Sequence, residues 1–469
     1  MNTALNTRLN TPLKPLVLAI SLMLGACSLN PPYQRPEAPI PTEYPAAGTE
    51  THAQPASWQE YFTDPALQQL INTALANNRD LRLTALRIEE ARAQYGIQRA
   101  DRLPTIEATS SYDRSKTIFA QGQTFDVNLY RVGVGISGFE LDFFGRVKSL
   151  TTGLLEEYLA TQEAQQTART SLIAEVAASY VNVRALAERL KLAKDTEQAR
   201  NLAYSRILRR QQAGLDNAMD LKTAEMQLET AQASIAALQR EYAQALNALQ
   251  LLVGKPGLVV AVPQEQLDRL AFSPLPTGLP STLLERRPDI RAAEHRLKAA
   301  NANIGAARAA FFPRIQLTTN VGLVNEHLSS LFSGSSDKAW SFSPQLTLPI
   351  FNHGRNQANL DLARVRKEIT IVEYEKAIQS AFSEVSDVLL SREQIEIQIA
   401  AQTRITNADR ERLRLALRRY DKGVANYLEL LDAQRSLFDS EQQLVQLKQL
   451  SLTNSINLFK VLGGEWQAS

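Results

Sequence analysis

The sequence feature that most constrains the fold is a stretch of 68 residues, Arg355 to Lys422, without a glycine or a proline. Its apolar residues recur at three- and four-residue steps, which is the periodicity of an amphipathic helix. One helix of this length would extend about 100 Å, whereas globular helices average about three turns. Because the stretch is not continuously apolar, it is not a membrane-spanning helix. It predicts one very long helix in a fibre or a helical tube.

The first half of the chain repeats this pattern. Residues 146–213 form another 68-residue stretch, interrupted only by Gly153, and in both halves a glycine and a 39-residue stretch free of glycine and proline follow. A constant offset between matching positions predicts a tandem duplication of one elongated unit. Six pairs are each 209 residues apart: Asp80 and Asp289, Gly96 and Gly305, Pro104 and Pro313, Gly145 and Gly354, Gly214 and Gly423, and Gly254 and Gly463.

The duplication divides the mature chain into two repeats. We predict a first repeat at 65–254, a proline-rich connector at 255–288, a second repeat at 289–463 and a tail at 464–469. Each repeat consists of a helix, a β-hairpin and two long helices. In the first repeat the helix covers 65–103, the hairpin 105–140 and the long helices 146–213 and 215–253; in the second the hairpin covers 315–350 and the long helices 355–422 and 424–462.

Beyond Pro104 and Pro313 the periodicity of the sequence changes from 3.6 to 2. In the first hairpin Val132, Val134 and Ile136 alternate with small or polar residues, and the second hairpin alternates in the same way. Four such strands fit either a half-buried antiparallel sheet on a soluble core or segments of a transmembrane barrel. Four strands cannot close a barrel, and lipid does not tolerate open edges, so the membrane interpretation requires oligomerisation. Three chains would give twelve strands.

The N-terminus has the pattern of a secreted protein. Two basic residues precede an apolar run that is too short to be a permanent membrane span, so we predict a signal peptide at 1–26. Cys27 follows it and is the only cysteine, which leaves no internal disulfide. The segment 27–64 is rich in proline and small polar residues and predicts an extended tether.

The string Leu24-Gly25-Ala26-Cys27 resembles the lipobox of bacterial lipoproteins. This resemblance implies an N-acyl chain, such as palmitate, and an S-diacylglycerol on Cys27. Ser28 in the next position implies delivery to the outer membrane. Such chains contribute membrane affinity of roughly 0.8 kcal/mol per buried methylene. A chance cysteine near a cleavage site is the alternative interpretation.

Composition and motifs point away from nucleic-acid binding, metal binding and catalysis. The net charge is +2, from 51 basic and 49 acidic residues, so no strongly basic surface is predicted. Gly133, Gly135 and Gly138 match a dinucleotide-binding pattern, but they lie inside an alternating strand rather than at a helix start. The four histidines are scattered, without metal-ligand spacing. We therefore expect a protein that is not an enzyme and has no cofactor besides covalent lipid.

Duplicated units of β-hairpin and long helices, a lipobox and glycine turns together resemble the outer-membrane factors of bacterial tripartite RND-type multidrug efflux pumps. These are the TolC-like channels, here in their lipoprotein branch. The fold that this resemblance implies is mainly α with a β-barrel portion. It is a homotrimer with a 12-strand barrel in the outer membrane, continued by a 12-helix coiled-coil α-barrel in the periplasm, with the connector in an equatorial belt. Four local strings carry the resemblance: Phe143-Phe144-Gly145-Arg146, Glu285-Arg286-Arg287-Pro288-Asp289-Ile290, Ala306-Ala307-Arg308-Ala309-Ala310-Phe311-Phe312-Pro313 and Leu431-Asp432-Ala433-Gln434-Arg435.

The resemblance implies a passive exit duct for drugs and other small compounds. An inner-membrane RND-type transporter would deliver them through a periplasmic adaptor (membrane fusion) protein, and the barrel would contact outer-membrane lipids. Gly214 and Gly423 would form the helix-turn-helix tips that meet the adaptor, since glycine permits a left-handed cap. Two alternatives remain: a type I protein-secretion duct of the same fold, and a periplasmic coiled-coil adaptor or structural lipoprotein, which would lack amphipathic strands.

The two repeats differ near the second tip. The resemblance implies that a tyrosine, a leucine, an aspartate and an arginine there form a periplasmic gate. Asp432 and Arg435 are three residues apart on one helical face and could pair; an ordinary solvated ion pair, without a role in a gate, is the alternative interpretation. By the 209-residue offset, the four gate residues Tyr420, Leu428, Asp432 and Arg435 correspond to Gln211, Met219, Thr223 and Met226 of the first repeat.

Overall fold

The structure, a computed structural model, describes residues 29–41, 44, 57–118, 124–258, 267–274, 286–334 and 336–464. The predicted signal peptide and the predicted lipidation site Cys27 lie outside these residues. The tether and the connector are described only in part, and so is the C-terminal tail, of which Gly464 alone is included.

The described part of the chain contains eight α-helices and one four-stranded sheet, arranged in two similar halves. Two short 3-10 helices, Leu267–Arg269 and Leu328–Ser330, lie in the connections. In chain order the other elements are α1 (Trp58–Tyr61), α2 (Pro65–Asn77), α3 (Arg79–Ala100), β1 (Ile106–Ile118), β2 (Thr124–Leu141), α4 (Arg146–Gln212), α5 (Ala218–Val253), α6 (Pro288–Ala309), β3 (Arg314–Asn325), β4 (Asp337–Thr347), α7 (Arg355–Asp421) and α8 (Tyr427–Val461).

The helix predicted at 65–103 is divided at Asn78 into α2 and α3. Asn78 has an extended backbone, and its side-chain oxygen accepts a hydrogen bond from the Leu81 amide at 2.9 Å. Its side-chain nitrogen donates to the Leu252 carbonyl at the end of α5, 2.8 Å away. Because an asparagine cap satisfies amides that a helix start leaves free, the chain ends one helix here and begins another. The expectation of one uninterrupted helix was wrong at this position.

The four strands form one antiparallel sheet in the order β1-β2-β3-β4. The register places one apolar row across all four strands, with Ala108 opposite Val134, Val134 opposite Val321 and Val321 opposite Trp340. The register shifts once, between Ile136 and Phe139, where β2 bulges. Since β1 and β4 stand at the ends of the strand order, each has one edge without a neighbouring strand among the described residues.

Neither face of this sheet is packed against a core. Every residue of β4 is exposed, and Trp340, on the apolar face, is 77% exposed. The opposite face carries small and polar residues, such as Gly135, Asn320 and Ser341, which are paired across the sheet. The interpretation as a half-buried sheet on a soluble core is therefore not supported. The sequence alternation instead exposes an apolar surface.

The chain divides into two compact units. The first consists of the described residues within Met1–Glu37, Arg87–Gln162 and Ala292–Glu375 and contains the sheet. The second consists of the described residues within Ala38–Leu86, Glu163–Arg291 and Lys376–Ser469 and contains the turns of both helix hairpins. An aromatic cluster lies in the core of the second unit. In it the Tyr61 ring stacks on Phe459 at a centroid distance of 5.1 Å, and its hydroxyl donates to the Ser455 carbonyl at 2.7 Å. This cluster joins α1 to the last turns of α8.

In the first unit, residues 29–37 form an N-terminal segment that lies along α6. Arg35 forms an ion pair with Glu294 of α6 at 2.9 Å, and the Tyr33 hydroxyl bonds the same carboxylate at 3.2 Å. At the other end of α6, Arg308 donates to the carbonyl of Leu29 at 3.2 Å. This part of the predicted tether contains no helix or strand, and side chains of α6 hold it in place.

Candidate functional site

The candidate site is built at the turns of the two helix hairpins. In the first turn, between α4 and α5, Gly214 has a φ of 73°, which is the left-handed region. The Leu215 amide donates to the Arg210 carbonyl at 2.8 Å, and the Gly214 amide donates to the Gln211 carbonyl at 2.9 Å. These two bonds satisfy carbonyls at the helix end in a Schellman motif. A side chain here would meet no atom within 4 Å, so glycine is required by its backbone angle and not by space.

The second turn, between α7 and α8, has the same construction. Gly423 has a φ of 70°. The Val424 amide donates to the Arg419 carbonyl and the Gly423 amide to the Tyr420 carbonyl, both at 2.9 Å. The predicted positions of both glycines at helix turns thus correspond to left-handed caps in the structure.

Both second helices begin three residues later than the sequence analysis expected. Asn217 caps α5 by accepting from the Asp220 amide at 2.8 Å, and Asn426 caps α8 by accepting from the Glu429 amide at 3.0 Å. An asparagine before a helix is a strong start signal, and it is present at the same position of both repeats. The sequence therefore contains a signal for these helix starts, and the structure shows that both asparagines act as caps.

The two turns carry different ion pairs. In the first turn Arg210 bonds Asp216 with its Nε at 2.9 Å. In the second turn Ala425 occupies the position of Asp216, and Arg419 pairs instead with Glu429 at 2.9 Å. Both arginines and Glu429 are exposed and Asp216 is partly buried, so each pair remains in contact with water and contributes about 0–1 kcal/mol. The turns are alike in backbone and distinct in surface charge.

Tyr420 is the least exposed of the four predicted gate residues. It packs against a buried cluster that includes Ile207 of α4 and Tyr427 and Leu430 of α8. Its ring centroid lies 6.1 Å from that of Tyr427. Burial raises the pKa of the Tyr420 hydroxyl, and the carboxylate of Asp216 in the first turn raises it further. Tyr420 thus belongs to the contact between the two helix hairpins.

The pairing of Asp432 with Arg435 that their spacing allows is not the one in the structure. Asp432 forms its ion pair with Arg412 of α7, which also donates to the Ser436 hydroxyl at 3.2 Å. Arg435 is exposed and forms no ion pair with any residue in the described part of the chain. Two antiparallel helices bring Arg412 and Asp432 together because each lies ten residues from Lys422 at the turn. Counting outward from the turn shows that Arg412 and Asp432 are level with each other, but not that their side chains face each other.

Leu428, Asp432 and Arg435 share one exposed face of α8, as their spacing of four and three residues requires. Leu428 is 59% exposed in a single chain. The corresponding side chains of α5 include Met219 and Met226, which are exposed but uncharged. At the aligned positions, the second hairpin therefore has an aspartate and an arginine where the first has Thr223 and Met226.

The described residues contain neither a candidate metal site nor a candidate membrane-spanning helix. They contain no group of three or more histidine, cysteine, aspartate or glutamate side chains placed to hold a metal ion. None of their helices combines the length and the apolar character that crossing a bilayer would need.

Comparison with known proteins gives the family. The family model for outer membrane efflux proteins matches the chain twice, at residues 70–255 and 279–464. The second match begins and ends 209 residues after the first, which is the offset seen in the sequence. Each repeat is therefore one family unit.

Similar proteins cover almost the whole chain. The chain is 43% identical to the probable efflux pump outer membrane protein TtgC of Pseudomonas putida, over 96% of this chain and 95% of that protein. It is 42% identical to the cation efflux system protein CusC of Escherichia coli, over 97% of this chain and all of that protein. Among solved structures, the open state of the MtrE outer membrane channel of Neisseria gonorrhoeae matches with a TM-score of 0.86 at 38% identity, over 94% of this chain and 98% of that one.

The fold and the exposed apolar sheet define an outer-membrane channel of the TolC-like class, mainly α with a β portion. The chain belongs to the outer membrane efflux protein family. The predicted fold class, outer-membrane location and role as an efflux channel are confirmed, and the alternative of a periplasmic coiled-coil adaptor is not supported.

Proposed function

We propose that the protein is the passive exit duct of a tripartite efflux system and works as a homotrimer. The observation that carries this proposal is the four-stranded sheet, whose apolar face and two edges are uncovered in one chain. In lipid, an unpaired edge leaves backbone groups without partners at a cost of several kcal/mol each. Pairing β4 of one copy with β1 of the next removes every edge when three copies close into a ring of twelve strands.

The strand faces support this arrangement. The row from Ala108 to Trp340 would contact acyl chains, and the opposite face, with Gly135 and Ser341, would line water. Transmembrane strands need about 9–11 residues, and the shortest strand, β4, has 11. Alternation of apolar and small residues with period 2 is the pattern of such strands.

Apolar residues on α7 support assembly of the helical part. In the first unit, Leu362, Val365, Ile369 and Val372 are about half exposed and recur at three- and four-residue steps. A single chain leaves this stripe in water, whereas a neighbouring copy would cover it. Four long helices per chain, α4, α5, α7 and α8, then supply twelve helices to a periplasmic tube.

We further propose that Tyr420, Leu428, Asp432 and Arg435 form the periplasmic gate. Three copies would bring the exposed face of α8 together near the axis, where three Asp432 carboxylates would favour cations. The similar MtrE channel has been solved in its open state, which supports a gated channel in this family. Opening would need only small shifts of helices at the hairpin ends.

The proposed partners follow from the two ends of the duct. The turns at Gly214 and Gly423 would meet the hairpins of a periplasmic adaptor, which links the duct to an inner-membrane RND-type transporter. The cargo would be drugs and other small compounds. At the membrane, acyl chains on Cys27 would anchor the chain, and the bond from Arg308 to Leu29 supports an anchor close to the start of β3.

Conductance across planar bilayers tests the duct and its gate. We expect small, infrequent openings from the purified wild type, and large, long openings from the Tyr420→Ala/Arg435→Ala variant. Cross-linking of the same samples in outer-membrane fractions should give a trimer. If neither protein conducts and cross-linking yields only monomers, the proposal of a trimeric duct is wrong.

A further inference from the structure

Helix α4 of the first repeat and helix α6 of the second repeat pack against each other. The Glu156 carboxylate of α4 lies 2.6 Å from Nδ1 of His295 of α6. Nearby on α4, a Cβ at Gly153 would lie 3.6 Å from the carbonyl oxygen of Ala299, so the two helix backbones approach closely there. Ala299 is buried, with 1% of its surface exposed. The α4–α6 contact is therefore defined at the level of single residues.

Each of these two helices has a counterpart in the other repeat. The bounds of α6 lie 209 residues after those of α3, and the bounds of α7 lie 209 residues after those of α4. Because the repeats are copies of one unit, α3 and α7 have the surfaces for a second contact of the α4–α6 kind. Its central residues are given by the same offset: Leu86 for His295, Glu90 for Ala299, Leu362 for Gly153 and Val365 for Glu156.

Both surfaces are uncovered in a single chain. Leu86 is 56% exposed and Val365 is 55% exposed. Each belongs to a row of exposed apolar residues at three-, four- or seven-residue steps, which lies on one helical face. The rows are the α3 stripe, with Leu83, Leu86, Ala93 and Ile97, and the α7 stripe, with Leu362, Val365, Ile369 and Val372. On α6, by contrast, the counterparts of Leu83, Ala93 and Ile97 are buried: Ala292, Ala302 and Ala306.

The α3 stripe points away from the helix that α3 packs on in its own chain. That helix is α4, where the Tyr95 ring stacks on the Tyr158 ring at a centroid distance of 6.4 Å. The Thr151 hydroxyl of α4 also donates to the Gln98 carbonyl at 3.3 Å. Since the α4-facing side of α3 is occupied, the stripe on its other side is free for a partner outside the chain. A second copy carries the matching surface, because its α7 is the counterpart of the helix that α6 packs on.

We propose that the α3 stripe of one copy packs on the α7 stripe of the next copy, in the arrangement that α6 and α4 have within one chain. The proposal rests on the proposed homotrimer and assigns its contact surface. Leu86 of one copy would contact Val365 of the next, and Glu90 would lie beside Leu362. Because two different surfaces meet, the contact is heterologous, and such contacts close into a ring when the rotation between copies allows it.

The chemistry of the two contacts keeps them distinct. Within the chain the central pair is polar, Glu156 with His295, whereas between copies it is apolar, Val365 with Leu86. If α6 of one copy packed on the α7 stripe of another, His295 would lie against Val365 and Glu156 would lose its partner. Leaving buried polar groups unpaired is costly. The apolar pair therefore favours association of copies through α3.

Pairs of cysteines test these surfaces in the full-length protein, in outer-membrane fractions treated with a short bifunctional methanethiosulfonate. With Leu86→Cys and Val365→Cys in one chain, each copy can be linked to both neighbours. The monomer band should shift to a covalent trimer, which reducing agent returns to monomer. The matched control is Arg92→Cys/Val365→Cys, which should stay monomeric. Arg92 is the counterpart of Asn301, which donates to the Pro31 carbonyl of the N-terminal segment at 2.9 Å, so it lies on another side of α3.

The outcomes separate this proposal from the proposed trimer. An amine-reactive cross-linker on the wild type reports the trimer without reference to the stripes, and a second pair, Glu90→Cys/Leu362→Cys, covers the case in which the first pair disturbs assembly. An amine-linked trimer without thiol-linked product from either pair would overturn the assigned surfaces and leave the trimeric duct standing. Equal product from the Arg92 pair would also overturn them. The absence of any trimer in the wild type would overturn both proposals.

Exchanging the central pair gives an independent measurement. Val365→Glu should reduce the amine-linked trimer, because its carboxylate would be buried against Leu86 without a partner. Leu86→His/Val365→Glu reproduces the pair of α6 and α4 and should restore the trimer, whereas Arg92→His/Val365→Glu should not. If the histidine at position 86 restored no more trimer than the one at position 92, the match of α3 to α6 would be wrong.

Discussion

At the residue scale, Arg412 is the side chain that holds the acid of the proposed gate. Both members of the Arg412–Asp432 pair are at least half exposed in one chain, so the pair contributes only about 0–1 kcal/mol to the stability of that chain. Near a three-fold axis, the effect of the Arg412–Asp432 pair would be larger. Removing the Arg412 charge would leave three Asp432 carboxylates to repel one another.

We expect Arg412→Ala to raise the frequency and conductance of openings in planar bilayers. The matched control is Arg410→Ala, because Arg410 is an exposed arginine of the same helix that pairs with Glu441 instead, at 2.9 Å. Its single-channel record should resemble that of the wild type. Equal effects of the two substitutions would mean that loss of helix charge, and not release of Asp432, changes the channel.

The Glu294 carboxylate predicts a pH dependence for the N-terminal segment. Burial opposes its ionisation, but Lys298 and Arg35 outweigh burial and hold the pKa of Glu294 below its ordinary value of 4.5. A carboxyl whose pKa is lower in the folded state stabilises the fold above its unfolded pKa, and this contribution is lost as the pH falls through the folded pKa. The segment should therefore stay on α6 at neutral pH and be released in acid, as the pH falls through the lowered pKa of Glu294.

A spin label on Glu37→Cys would follow this release by its rotational mobility. In Glu294→Gln the label should already be more mobile at pH 7, and its mobility should no longer change in acid. A label that remains immobile in Glu294→Gln would show that Arg35 and Tyr33 do not depend on the carboxylate.

At the element scale, two glycines at the same position of the repeats have different surroundings. Gly305 of α6 lies under the N-terminal segment, and a Cβ there would be 1.6 Å from Oδ1 of Asn30. Gly96 of α3 is its counterpart at the 209-residue offset, and a Cβ there would meet no atom within 4 Å. Equivalent positions of the two repeats therefore have different packing, because α6 carries the N-terminal segment and α3 does not.

Gly305→Ala should displace the segment and destabilise the protein by about 1–3 kcal/mol, as overpacking typically does. Gly96→Ala should leave the segment in place, since alanine is also the better helix former by up to about 1 kcal/mol. The spin label at position 37 and thermal unfolding in detergent measure both effects. Similar mobility of the label in the two variants would contradict the packing assigned to Gly305.

Helix boundaries show how far local sequence information reaches. The long helices were predictable because their periodicity and their lack of glycine and proline are properties of consecutive residues. The break at Asn78 and the starts after Asn217 and Asn426 depend on single capping hydrogen bonds. Such caps are visible in the sequence as asparagines, but only the structure showed which of these side chains cap a helix.

At the scale of the whole molecule, the two faces of β4 are expected to meet different environments in the proposed trimer. Trp340 lies on the apolar face and its neighbour Ser341 on the opposite face. Trp340→Lys places a charge toward lipid, at a cost of up to about 2–4 kcal/mol per copy at the bilayer midplane. Ser341→Lys points toward water and should be tolerated.

We therefore expect Trp340→Lys to reduce the amount of trimer in outer-membrane fractions, with Ser341→Lys close to the wild type. Quantitative blotting after cross-linking measures both. If Ser341→Lys were the more damaging substitution, the assignment of the two faces would have to be reversed.

The sequence by itself determined the duplication, the long helices, the alternating strands and the glycine turns, because each depends on periodicity or on residues adjacent in the chain. Only the tertiary structure decided the contacts between distant residues. It placed Asp432 with Arg412 instead of Arg435, joined Glu294 to Arg35, and paired Glu156 with His295. The physical reason is that spacing along one helix tells which residues share a face, whereas the partner of that face is chosen by how separate helices pack.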